Sequence, residues 1–189
     1  MNLAAYLSGT VDVLRGGNAW PASFDLSRTG FKQSFLALVL TVPSLFIAAL
    51  GISTQRAKLL GEGSAEVSVP AVALIALLYL LSFTGAAYLI AMVFDRQDRF
   101  RPWVITRHWA VFFMALFVGV SFGAYLLGWL PFVAANAIAF IVYMAVLAVD
   151  IILAIRVANF RWAGAVYTAC AVTAMGLCVL LFGTVQLSA

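Results

Sequence analysis

Ionisable side chains are scarce in this chain, and the scarcity limits what it can do. Only 10% of its 189 residues are charged, where a soluble domain carries roughly 25%. The single histidine, His108, excludes a multi-histidine metal or haem site. The two cysteines, Cys170 and Cys178, lie about 12 Å apart along a helix. That is too far to bridge, there is no C-x-x-C, and both read as small packing residues. No G-x-S-x-G elbow and no Gly-rich phosphate cradle occurs. Paired intramembrane aspartates are missing too, since Asp150 alone is embedded in an apolar run. The expectation is a non-enzyme with neither cofactor nor metal.

What the chain has in abundance is apolar surface: 65% hydrophobic residues and a mean hydropathy of +1.08. Water cannot cover so much of it, so lipid is the natural solvent. A formal charge of +4 and pI near 9.4 raise the question of nucleic acid. The basic residues flank apolar runs instead of forming a patch, which argues for membrane topology and against a nucleic-acid partner.

The organising stretch is Arg101 to Arg161. No formal charge occurs between Trp109 and Val149, and the only break is Gly128-Trp129-Leu130-Pro131. A chain turning back there brings Arg101, Arg107 and His108 to the same membrane face as Asp150, Arg156 and Arg161. Around this hairpin the sequence predicts an all-α bundle of five transmembrane helices in residues 34–183. The spans are about 34–52, 70–94, 103–128, 132–155 and 162–182. Residues 1–33 form a cytoplasmic amphipathic, interfacial segment. In it Leu3, Leu7, Val11 and Leu14 share a helical face up to the Gly16-Gly17-Asn18 stop. That face lies either in the headgroup layer or against the bundle. Pro43 should bend the first span, with Thr41 or Ser44 helping to satisfy the freed backbone. Residues 53–69 read as an exposed loop, and 95–102 as a charged turn. Trp103, Trp129 and Trp162 are placed at membrane interfaces.

With the N-terminus inside, the inner segments hold nine basic residues and the outer ones only Arg56 and Lys58. The bias toward cytoplasmic Lys and Arg therefore predicts N-in, C-out in a bacterial cytoplasmic membrane. No internal repeat of the inverted-transporter kind occurs, and an odd number of spans makes one harder to build.

Asn136, Tyr143 and Asp150 recur every seven residues on the fourth span. The shared face should point inward, because a carboxylate turned to lipid costs about 2.5–3.5 kcal/mol. Depth counting pairs Asp150 with Arg107, with His108 beside them. Two readings follow: a structural ion pair with Arg107 reaching toward the headgroups, or a proton or ion relay in which His108 titrates near neutral pH. Small residues mark packing faces: Gly119 and Gly123 on the third span, Ala165, Ala169 and Gly176 on the fifth. They serve contacts inside the bundle or a homodimer.

A short amphipathic helix, a boundary segment Asn18–Phe31 containing Phe24-Asp25-Leu26-Ser27, and five closely spaced spans together resemble the bacterial Yip1-like membrane proteins. The D-L-Y-G-P-type run of eukaryotic members is absent, so no functional residue carries over. The resemblance implies a non-enzymatic membrane protein that associates with other membrane proteins or shapes membrane organisation. The leading expectation is a scaffold or accessory subunit acting through helix–helix contacts. The alternative is a small transporter or channel component using Asn136, Tyr143 and Asp150 with Arg107 and His108. The lipid bilayer, other membrane proteins or a second copy are the expected partners.

Overall fold

A computed structural model describes residues 2–61 and 68–188, with side chains up to residue 182. The chain is all-α: α1 (Leu3–Leu14), a 3-10 turn (Trp20–Ser23), α2 (Arg28–Leu60), α3 (Val69–Val93), α4 (Gln97–Leu126), α5 (Phe132–Arg156) and α6 (Trp162–Ser188). Helices α2 to α6 are each long and apolar enough to cross a membrane. They close into a ring in the order α2, α4, α5, α6, α3, and α4 also reaches across to α3. Half of the most apolar stretch of α4 is buried, against 22–33% in the other four. Helix α4 is therefore the central post, and the others turn most of their apolar surface outward, as lipid-facing helices do.

Local chemistry sets the helix ends. Ser27 caps α2, its Oγ accepting from the N–H groups of Thr29 (3.1 Å) and Gly30 (3.3 Å). The Asp25 carboxylate in turn accepts from the Ser27 N–H at 3.0 Å. Hydrogen bonds from Ser27, the side chain first and then the backbone, hold the Asp25 carboxyl below its usual range. At the α4–α5 turn Gly128 takes φ +77°. Gly128 N–H reaches Tyr125 O (2.9 Å) and Trp129 N–H reaches Ala124 O (2.8 Å). This is a Schellman stop, where a residue without Cβ is at ease. The α3–α4 turn uses the same bond pattern with Asp95 at φ +54°.

The structure moves several boundaries. Residues 53–60, expected as loop, continue α2 to its cap at Gly61, and Val69 already opens α3; residues 62–67 of that loop lie outside the described residues. The extension is tied down by Tyr125, whose hydroxyl donates to Gln55 Oε1 (2.9 Å) while Lys58 sits 5.1 Å over its ring. Gln97–Pro102, expected within a charged turn, is already helical, with Pro102 inside α4, where it removes one backbone donor and leaves the Asp98 carbonyl without its usual helical partner. Helix α2 runs through Pro43 as one element, and the Thr41 hydroxyl donates to Ala37 O (2.8 Å), not to the Val39 carbonyl that the proline leaves free. Trp103 faces the interior of the bundle and not the lipid side. It is 1% exposed, set edge-on against Phe83 at 5.4 Å and packed on Phe160, because α1 and the α5–α6 link belong to the same core. Trp129 and Trp162, 76% and 72% exposed, do stand outward.

Helix α1 divides its surface between the two expected roles, with a shifted face. Gly9, Thr10 and Val13 are buried, and Tyr6 stacks on Trp109 at 4.2 Å and on Phe24 at 5.8 Å. Leu3 and Leu7, half of the apolar stripe read from the sequence, are exposed.

Candidate functional site

Helices α4 and α5 form an antiparallel hairpin whose register is visible beside its turn, where Tyr125 meets Phe132 edge-on at 5.4 Å. The same register carried away from the turn sets Arg107 opposite Asp150. Arg107 Nε donates to Oδ1 at 3.0 Å and Nη2 to Oδ2 at 3.3 Å. Both residues are buried, 5% and 3% exposed. Each lies six residues inside an arginine at the rim, Arg101 or Arg156, about 9 Å along its helix. The guanidinium also lies over the Phe83 ring of α3, 4.0 Å from its centroid, a cation–π contact. Charge, fork geometry and aromatic face therefore hold this one arginine of α4 from two neighbouring helices, α5 and α3.

Beside the pair is a cavity of about 20 Å³ between α3, α4, α5 and α6, room for about one water molecule. Tyr79, Ser82, Tyr143 and Thr173 bring hydroxyls to its wall along with Arg107 and Asp150. Tyr143 thus joins the site. Asn136 does not: it is exposed near the opposite end of α5, while its neighbour Ala135 is buried. The physical reason is that a seven-residue repeat drifts about 20° per heptad on a straight 3.6-residue helix, and the drift doubles between Asp150 and Asn136.

His108 neighbours Arg107 in sequence but not in its bonds. It points to the α2–α3 side, where Ser34 Oγ lies 2.9 Å from Nδ1 and Thr84 Oγ1 3.0 Å from Nε2. Phe35 covers the ring edge-on at 5.1 Å. A neutral imidazole donates from one nitrogen and accepts at the other, and hydroxyls can answer either way. The imidazole therefore clasps α2 and α3 to the central helix and stands apart from the cavity wall.

Sequence reasoning missed Ser34, Thr84, Tyr79 and Phe83. Serine and threonine in apolar spans are common, and only the identity of the adjoining helices makes these two partners of His108.

Two of the small residues, Gly119 and Gly176, mark close approaches between helices of the bundle. A Cβ at Gly119 would stand 2.8 Å from Ser44 Cβ and Oγ on α2, and one at Gly176 would stand 2.9 Å from Tyr79 Cε2 on α3. Gly123 has its nearest contact at 3.9 Å, Ile47 Cγ2, and does not set a close approach. Ala165 and Ala169 are buried. Cys170 and Cys178 are exposed on α6. Among the described residues no group of three metal-binding side chains comes together.

Compared with known proteins, the chain matches no family model, no curated protein and no solved structure.

Proposed function

We propose that this chain is a non-catalytic integral membrane protein, a scaffold or accessory subunit that holds other membrane proteins through helix–helix contacts. Its place is the bacterial cytoplasmic membrane, N-terminus inside and C-terminus outside. One observation carries the reading. The cation position on Asp150 is already filled by Arg107 through a bidentate pair, so a travelling ion would have to displace a tethered guanidinium held by Phe83. The neighbouring void of about 20 Å³ offers a passing solute about one water's worth of space. The Yip1-like span pattern points the same way, and the gathering of basic residues at the α1 end supports the orientation.

A second reading, a small transporter or channel component, draws on that same cavity, where Tyr79, Tyr143, Arg107 and Asp150 form a polar wall. Proteoliposomes separate the two. The scaffold reading expects proton and ion flux equal to that of empty vesicles. It also expects native mass spectrometry from solubilised membranes to find the chain in a defined complex with another membrane protein or a second copy. Flux abolished by Asp150→Asn in a folded protein replaces it with the transporter.

A further inference from the structure

We propose that the α1 end of the bundle is a docking surface for the anionic phospholipid headgroups of the leaflet that surrounds it.

The first observation is where the charge lies. Arg107 and Asp150 cancel inside the bundle, and the α2–α3 segment balances Arg56 and Lys58 with Glu62 and Glu66 in its sequence. The whole formal charge of +4 therefore belongs to the α1 end, where eight cations face four carboxylates. All eight cations are exposed or half-exposed. Two of the four carboxylates are already engaged, Asp98 with Arg99 at 3.0 Å and Asp25 with Ser27.

The second observation is the company these cations keep. Arg96 follows the exposed Phe94 by two residues, and Arg161 precedes the exposed Trp162. Lys32 follows Phe31, which packs on Phe35 and Phe100. Helix α1, fixed to the bundle through Tyr6 and Val13, presents Leu3 and Leu7 outward and ends at the exposed Arg15. Cations interleaved with apolar side chains sit at headgroup height, where an acyl chain and a phosphate can be met together. A soluble acidic protein would have to draw Trp162 and Phe94 out of the bilayer to reach the same charges. Docking α1 in advance removes the ordering cost a free amphipathic helix meets on binding. This inference does not rest on the scaffold reading, because a transporter would carry the same face.

The tryptophans provide the assay. Trp103 and Trp109 are buried, Trp129 stands at the far end, and Trp20 and Trp162 belong to the basic end. The full chain with Trp129→Phe is reconstituted, and quenching by brominated phosphatidylglycerol is compared with quenching by brominated phosphatidylcholine. The expected preference for phosphatidylglycerol is on the order of fivefold or more at low salt, since each surface cation contributes about that factor. High salt should shrink it. Adding Arg28→Gln, Lys32→Gln and Arg161→Gln, which leaves five of the eight cations in place, should lower the preference at least severalfold. Arg15→Gln with Arg101→Gln, a second variant touching different elements, should lower it in part. Arg56→Gln with Lys58→Gln should leave it unchanged. Equal quenching by the two lipids, or a preference that the triple change leaves unaltered in folded protein, overturns the proposal and leaves an acidic protein as the partner for this face.

Discussion

Removing Asp150 and Arg107 one at a time and then together tests how the bundle tolerates its buried charges. With Asp150→Leu, Arg107 keeps the face of Phe83 at 4.0 Å but loses two charge-assisted hydrogen bonds, each worth about 1.5–3 kcal/mol. Breaking a buried pair from one side costs about 3–5 kcal/mol. Scaled to a chain of this size, that is a fall of roughly 6–20 °C in melting temperature. Arg107→Met should cost less, because a carboxylate left alone can take up a proton whereas a guanidinium cannot lose one. The double variant Arg107→Met with Asp150→Leu should recover most of the loss, since apolar replacement of a whole buried pair is often neutral or stabilising. The measurement is thermal unfolding in one detergent, read as a double-mutant cycle. Additive losses in the double variant would refute this reasoning, and so would a single Asp150→Leu within about 1 kcal/mol of wild type.

Two further expectations concern packing and the cap of α2. Gly119→Ala drives a methyl to 2.8 Å from Ser44 and should destabilise by about 1–3 kcal/mol, while Gly123→Ala, with its nearest contact at 3.9 Å, should be near neutral; equal effects in thermal unfolding would contradict the assignment of the α2–α4 contact. The Asp25 carboxyl is held below its ordinary 3.8, so its contribution to the cap is complete above about pH 4 and lost as pH falls through the lowered value. A carboxyl NMR titration should place it below 3.8 and Ser27→Ala should move it back up; a value at or above 3.8 in the parent protein would sink the cap argument.

Much of the architecture was legible because hydrocarbon makes strict demands on sequence. The five apolar runs and their charged ends define the spans, and counting residues inward from Arg101 and Arg156 puts Arg107 level with Asp150, as the structure does. Counting works for the hairpin because a short turn fixes its register. It fails where the answer depends on which helices are neighbours. Ser34 and Thr84 meet His108 because α2 and α3 both adjoin α4, and the ring order is not written in any local pattern. Asn136 was misplaced by a periodicity that is only approximate, and the burial of Trp103 depends on α1 and the α5–α6 link, which no local pattern places beside it. The extra turns at the end of α2 and the start of α4 are polar in composition, and what holds the first of them helical is a contact with Tyr125 some seventy residues away.

The ring order also bears on how the molecule is made. The main partner of α2 is α4, and the chain must complete α3 and then α4 before that partner exists. At about 5–20 residues per second of synthesis, the first span spends several seconds in the bilayer with its Ser44 and Gly51 face uncovered. During that interval nascent α2 is open to any other hydrophobic segment near the insertion site. Its Gly51 notch, which in the finished protein receives Phe122, is then a place where a wrong neighbour can lodge.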